Sequence, residues 1–527
     1  MSKKRFCVMI DCSNNAVMRP EKVKEYALYL RKFGYDSIML YCEDTFEADD
    51  EPYFGYLRGG YSKTELKDIV AYCDSIGVEV IPCIETLAHL SRIFKWNDYA
   101  AVRDTDDILL VGDERVYRLI ENEFRTLAEC FTSRTVNIGL DEAHNVGRGA
   151  YLNKHGYRDA LEIFAEHTRK IVEIAKKYGF EPMMWSDMLF KSIYGSYYDA
   201  RDDEKIDEKK DLLPDVDLVY WEYFFYDAEK YRKMLRLHRK FGKNVWYAGA
   251  VHTYIGFTTS NDMSIAELKA ATDACRDENI DGIIVTLWGG EDCSFFLALP
   301  ALCYARCNYE GHPDEDYAAK RFSEATGEDY YAIRALDAAN TLTASYLELP
   351  EIDFSKYVLF QDVFNGYFDP VLKEGAASKY REKAEEFDRA PQCEFKYLFE
   401  RQSALLKAIY LKHDLGIEIR RAYGAKDLPE LRRLSDKIDE TRLAVREFYE
   451  KTRAEWLIEK KPHGLDVVDQ RFGGLMLRLE DCAQRLKDYV EGRTDRIDEL
   501  ETPLKPFNAT GINYLFWSKI ITANNLE

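Results

Sequence analysis

The 527-residue chain has no stretch approaching the roughly 18 consecutive apolar residues of a membrane span, which excludes a single apolar helix through a bilayer. At the N-terminus, Met1 to Arg5 is followed by an apolar run from Phe6 to Ile10 that Asp11 stops, too short for a signal-peptide core. The expectation is a cytoplasmic protein. Positive charge is also in short supply: 73 Lys and Arg face 94 Asp and Glu, a net charge of −21. Such a chain repels polyanions, so neither nucleic acid nor an anionic membrane surface is expected as a partner. There is no glycine-rich nucleotide loop, no low-complexity tract and no short repeat. Nor is there a metal-ligand cluster. Cys303 and Cys307 share a helix face without further ligands nearby, so no metal and no cofactor are expected. Twelve cysteines are present, but several (Cys7, Cys42, Cys83) sit in apolar strand-like runs, where a reduced cysteine behaves as a small hydrophobe. They read as buried free thiols.

What the chain does have is apolar content enough for a large core, 46%, and a high aromatic share, 14% with 37 tyrosines. Up to about residue 310 a short apolar run, a polar loop and a helical pattern recur as one unit. The strand-like runs are Arg5–Asp11, Ser37–Cys42, Val78–Ile84, Thr135–Leu140, Glu181–Trp185, Asp217–Glu222, Asn244–Tyr247 and Gly282–Trp288. Apolar runs without strict alternation suit strands buried on both faces, and eight β-then-α units is the count of a TIM barrel. Beyond about Asp314 the period shifts to near 3.6, with long amphipathic patterns over Gln402–Tyr423, Leu428–Arg453 and Arg471–Gly492. The expected fold is therefore α/β: a (β/α)8 TIM barrel over residues 1–313, followed by an all-α C-terminal domain over 314–527. Pro462-His463-Gly464 reads as a turn between helices, and Gly473-Gly474 as a site of close backbone packing.

In such a barrel, function lies at the C-terminal ends of the strands. Those ends are rich in carboxylates and aromatics: Asp11, Glu43-Asp44, Glu85 with His89, Asp141-Glu142, Trp185 with Asp187, Trp221-Glu222-Tyr223, Tyr247 with His252 and Tyr254, and Trp288 with Glu291 and Asp292. One carboxylate after a strand is ordinarily a helix cap. Aromatics closing four strands (Trp185, Trp221, Tyr247, Trp288), together with six or more acids at the same level, suit a pocket that stacks sugar faces and binds hydroxyls.

Asp141-Glu142 carries the chemistry. Neighbours in a regular strand point to opposite sides, so both serve one site only if the chain leaves strand geometry there. Two crowded carboxyls push their protonation equilibria apart, leaving one protonated as an acid and the other an anion.

These residues resemble glycoside hydrolase family 20, the β-N-acetylhexosaminidases. The resemblance rests on Asn137-Ile138-Gly139-Leu140-Asp141-Glu142-Ala143, similar to the family's His/Asn-x-Gly-x-Asp-Glu signature. Ile81 to Glu85 leading to His89, and the Trp185, Trp221 and Trp288 strand ends, support it. The segment Tyr41–Tyr61 looks most like the bacterial branch with a helical C-terminal domain. The resemblance implies an exo-acting hydrolase of terminal GlcNAc or GalNAc in which the substrate's own 2-acetamido group is the nucleophile. It implies Glu142 as general acid and base, and Asp141 as the group orienting the acetamide. It further implies Trp185, Trp221 and Trp288 as a box around the sugar, Tyr223 or else Tyr254 on the acetamide oxygen, Asp187 and Glu291 on hydroxyls, and His89 near Glu142. The partner is then a small glycan, with a homodimer an admissible assembly. Two departures stand out. The arginine that many relatives carry after the first strand is missing from Asp11-Cys12-Ser13-Asn14-Asn15. The acid expected two residues after the last tryptophan is displaced to Glu291, with Asp292 competing. Two other readings share the fold: a glycosidase for an unacetylated or sulfated hexosamine, and a sugar-binding protein without catalysis.

Overall fold

The computed structural model describes residues 4–198, 200–202, 204–291, 293–343, 354–390, 392–506 and 522. Eight parallel strands close into a barrel in sequence order, β1 (Arg5–Asp11), β2 (Ser37–Cys42), β3 (Glu79–Ile84), β4 (Thr135–Asn137), β5 (Glu181–Trp185), β6 (Asp217–Trp221), β7 (Val245–Val251) and β8 (Gly282–Leu287), with β8 pairing back onto β1. Alternate residues fill the interior: Cys7 and Met9, Met39 and Tyr41, Ile81 and Cys83, Met183 and Trp185, Trp246 and Ala248. That period of two decides what each strand presents at its C-terminal mouth.

Two strands differ from their expected extents by more than one residue. β4 stops at Asn137 rather than Leu140, because Gly139 and Leu140 turn left-handed at φ 71° and 78°. β7 runs on to Val251, which leaves Tyr247 in mid-strand. Its neighbours Trp246 and Ala248 face the barrel interior, so Tyr247 faces out. There it is fully buried, 5.5 Å from the ring of Tyr231 and 5.8 Å from that of Tyr220. The expected pocket wall therefore loses one ring to packing.

The chain divides into two compact units. One comprises residues 1–251, 264–291 and 299–327. The other comprises 252–263, 292–298 and 328–527, so that short segments following β7 and β8 belong to the helical unit. In the helical unit the predicted helix Gln402–Tyr423 is two, Lys396–Lys412 and Leu415–Gly424. The break falls where Asp414 accepts from Gly375 N and lies 2.7 Å from His413 Nδ1, side-chain bonds that compete with helix continuation. Helices Leu428–Glu459 and Leu465–Val490 follow. Phe257, Phe448 and Phe472 form a ring cluster within this unit, centroids 5.2–6.1 Å apart. Arg401, 1% exposed, pairs with Glu455 at 2.7 Å and donates to the carbonyl of Phe257. The Gly473-Gly474 expectation fails, since a Cβ at either position would meet nothing within 4 Å.

All twelve cysteines are free, and all but Cys393 are buried. Among the described residues no helix is long and apolar enough to cross a membrane, and no group of three or more metal-ligating side chains is present.

One buried acid bears on stability alone. Glu123, on the helix Glu114–Cys130, is 1% exposed, and neither carboxyl oxygen meets a donor. Burial, and then the charge of Glu51, raise its pKa well above the ordinary carboxyl range. A group raised in the folded state favours folding below its unfolded pKa and loses that contribution as pH rises. Glu123→Met should therefore raise Tm, by an amount equivalent to about 1–3 kcal/mol at neutral pH. The gain should widen from pH 5 to pH 8 in thermal melts. A pH-independent gain, or a loss, contradicts this.

Candidate active site

The left-handed turn that ends β4 builds the centre of the site. With Gly139, Leu140 and Glu142 all at positive φ, the chain abandons strand alternation, and the carboxylates of Asp141 and Glu142 converge on one imidazole. His89 Nε2 lies 3.3 Å from Asp141 Oδ2 and 3.7 Å from Glu142 Oε2. His89, in the loop after β3, is itself held at φ 59°. Such strained backbone persists only where surrounding structure determines it, and it clusters at functional sites. The two acids differ in setting: the Asp141 side chain is 13% exposed and that of Glu142 48%.

Charge is unevenly shared here. Burial by itself would depress the His89 pKa, but the neighbouring acids, Asp141 first among them, raise it well above the usual histidine value, which favours the imidazolium. Burial, then the charge of Asp141, raise the Glu142 pKa, with His89 opposing. Burial pushes Glu43 up to about 7 and, reinforced by Asp141, takes Asp187 to about 7 as well. A carboxyl at Glu142 raised in spite of the opposing charge of His89 is what a general acid near neutrality needs.

Asp187 continues the inward alternation of β5 after Met183 and Trp185. Its Oδ2 accepts the backbone N–H of Glu142 at 2.9 Å, and its Oδ1 the indole N–H of Trp221 at 3.4 Å. It therefore fixes the backbone of Glu142 and the orientation of one tryptophan. Tyr223, two residues beyond Trp221, stacks on that ring at 5.3 Å and 27°. Its hydroxyl accepts from Trp288 Nε1 at 3.2 Å. Trp288 in turn meets Tyr41 edge-on at 4.8 Å. Trp185, 1% exposed, belongs to the barrel core beneath this rim. Trp221, Tyr223 and Trp288 thus form one continuous aromatic wall. Tyr254 lies in the segment after β7 that belongs to the helical unit, its hydroxyl 3.1 Å from His252 Nδ1.

The loop after β1 forms a polar corner. Asp11, 1% exposed, accepts from Ser13 N, Ser13 Oγ, Asn14 Nδ2 and Gly289 N, tying the β1 and β8 loops together. Asn15 donates to Glu291 Oε2 at 2.7 Å. An arginine does reach this corner, from the next loop: Arg58 donates to Asn15 Oδ1 at 3.1 Å, to the carbonyl of Ser13, and to Asp44 Oδ1 at 3.0 Å. No sequence spacing identified Arg58, because a loop of more than a dozen residues carries it there. Glu85 and Glu43, two strand-end acids to which the sequence reading assigns no role, follow the inward alternation of β3 and β2. Asp292 lies outside the described residues.

Residues 39–204 match the family profile described as "Glycosyl hydrolase family 20, catalytic domain", and residues 328–513 match "Glycoside Hydrolase 20C C-terminal domain". The chain belongs to glycoside hydrolase family 20. The stretch matched by the catalytic profile of family 20 carries Glu43, Glu85, His89, Asp141, Glu142, Trp185 and Asp187. Among individual proteins, hexosaminidase D of Bos taurus is 25% identical over 289 residues, 49% of this chain and 77% of that protein. Hexosaminidase D of Homo sapiens is 24% identical over 173 residues, 30% of this chain and 35% of that protein. A solved family 20 exo-β-N-acetylglucosaminidase from Vibrio harveyi, in complex with N-acetylglucosamine, superposes with a TM-score of 0.46. It is 17% identical, over 61% of this chain and 58% of that one. The protein is a glycoside hydrolase of family 20, with its acid pair at the mouth of the barrel.

Proposed function

We propose that the protein is an exo-β-N-acetylhexosaminidase that releases terminal non-reducing GlcNAc or GalNAc by substrate-assisted, retaining catalysis. The observation that carries this reading is the pair Asp141 and Glu142 on one imidazole, with the more exposed acid, Glu142, raised in pKa. In the first step the acetamido oxygen bonds to the anomeric carbon as the glycosidic C–O bond breaks. The proton of Glu142 passes to the departing oxygen. Asp141 holds the acetamide N–H and offsets the positive charge of the oxazolinium ion. Water then attacks the anomeric carbon, giving its proton to Glu142, and the ring reopens to the acetamide with net retention. No carboxylate of the enzyme becomes covalently attached. Trp221, Tyr223 and Trp288 offer apolar faces to the sugar and its acetyl methyl, with the Tyr223 hydroxyl the donor to the acetamide oxygen. Asn15, Glu291 and Arg58 serve the hydroxyls. The substrate is a small glycan.

The test compares kcat/KM on the 4-nitrophenyl β-glycosides of GlcNAc, GalNAc and glucose. Strong preference for the two acetamido sugars supports the reading, whereas equal turnover of the glucoside removes it. Loss of the protonated form of Glu142 should make kcat/KM fall as pH rises through its raised pKa. At the polar corner, Arg58→Lys keeps the charge but not the planar fork that bridges Asn15 and Asp44. KM should rise about tenfold, the equivalent of one good hydrogen bond, with a smaller change in kcat. An unchanged KM in steady-state assays would place Arg58 outside hydroxyl recognition.

A further inference from the structure

Beside the acid pair lies a third carboxyl, Glu85, which the mechanism above does not use. It follows Ile81 and Cys83 in the inward alternation of β3 and is 0% exposed. Neither of its oxygens meets a hydrogen-bond donor, and Asp141 Oδ1 meets none either. Glu85 packs against Gly139, two residues before Asp141 in the same turn, and Asp141 acts on it both through its charge and as a hydrogen-bonding neighbour. Two ionised carboxylates facing each other in a dry interior repel and leave both acceptors unsatisfied. A single hydrogen between them resolves both problems.

We propose that Glu85 is a positioning residue: a neutral carboxylic acid whose O–H donates to Asp141, so that Asp141 stays an anion in one fixed orientation. The proposal deepens the functional reading above and rests on it for the role of Asp141. The Asp141 carboxylate is then gripped from both sides, Oδ2 by His89 at 3.3 Å and Oδ1 by the Glu85 hydroxyl. The surroundings decide which acid keeps the hydrogen. Burial, followed by the charge of Asp141, drives the Glu85 pKa well above the ordinary range, and Glu43 from β2 adds to this. His89 opposes it, but lies against Asp141 and so favours the anion there. The backbone is shaped for the arrangement. A Cβ at residue 139 would come within 2.2 Å of Glu85 Oε2, so the glycine of the left-handed turn makes room for this carboxyl as well as allowing φ 71°.

Two variants and one spectrum test it. Glu85→Gln replaces the O–H donor with an amide N–H, whereas Glu85→Leu fills similar space without a donor. On 4-nitrophenyl β-GlcNAc, Glu85→Gln should stay within about threefold of wild-type kcat. Glu85→Leu should lose about 10- to 100-fold in kcat with little change in KM, the cost of an unsatisfied buried acceptor expressed in the transition state. The infrared difference spectrum of wild type minus Glu85→Gln at pH 7 should show the carbonyl stretch of a protonated carboxyl. Wild-type kcat in Glu85→Leu, equal loss in both variants, or a difference spectrum showing only ionised carboxylate would overturn the proposal. The spectrum requires neither activity nor a folded leucine variant. It therefore decides on Glu85 even if the wild type proves inactive on acetamido sugars, an outcome that would instead remove the functional reading.

Discussion

Glu142→Gln should lower kcat/KM on a GlcNAc disaccharide by about 10²–10⁴-fold, the usual contribution of a positioned general acid. The substitution removes the proton but leaves the Glu142 backbone N–H on Asp187, so the turn at the end of β4 should persist and Tm should change little. The loss should shrink when the leaving group needs no proton. On a 2,4-dinitrophenyl glycoside, kcat/KM, which reports the first chemical step, should approach that of the wild type. The falling limb of the pH profile should vanish with it, because the raised carboxyl that produced it is gone. A uniform loss on both substrates would point to distorted geometry and away from acid catalysis.

Asp141→Asn should cost about 10²–10³-fold in kcat on acetamido substrates, the scale measured when a preorganised group facing developing charge is removed. It keeps the shape of the side chain and deletes its charge. The same change should be visible without turnover. Asp141 heads the attractive interactions that raise the His89 pKa above its usual value, so an NMR titration should find the His89 pKa lower in the variant than in wild type. Lost activity with an unmoved His89 would separate the catalytic role from the electrostatic picture. Near-wild-type turnover would refute the role itself.

How much of this was readable in advance follows from which interactions are local. The barrel was legible because each strand is a short apolar run between loop signals, and most strands begin and end within a residue or two of their expected limits. The exceptions have physical causes. The end of β4 depends on left-handed dihedrals at Gly139 and Leu140, which the residue types permit but do not announce. Tyr247 was expected at a strand end, yet the extra length of β7 and the parity of its neighbours place it against the surrounding helix. Asp187, expected on a sugar hydroxyl, also accepts from Glu142 N and Trp221 Nε1, partners that its sequence neighbourhood does not announce. For Glu85, counting in twos from Ile81 aims the side chain inward, and only the packing against Gly139 shows what it meets. Arg58 is the clearest case of tertiary information, since nothing near Asn15 in sequence anticipates a guanidinium arriving from residue 58. The segments after β7 and β8 grouping with the helical unit were equally unreadable, because long-range partners such as Arg401 and Phe257 define that unit.

The central claim is that the substrate's acetamide is the nucleophile, with Asp141 and Glu142 serving it. It is tested most directly by kcat/KM across the 4-nitrophenyl glycosides bearing acetyl, fluoroacetyl, difluoroacetyl and trifluoroacetyl groups on the 2-nitrogen. Each fluorine withdraws electron density from the attacking carbonyl oxygen while adding little bulk. Participation predicts a steep, progressive fall in log(kcat/KM) across the four substrates. A flat series would contradict it, and would require an enzyme nucleophile or a directly attacking water.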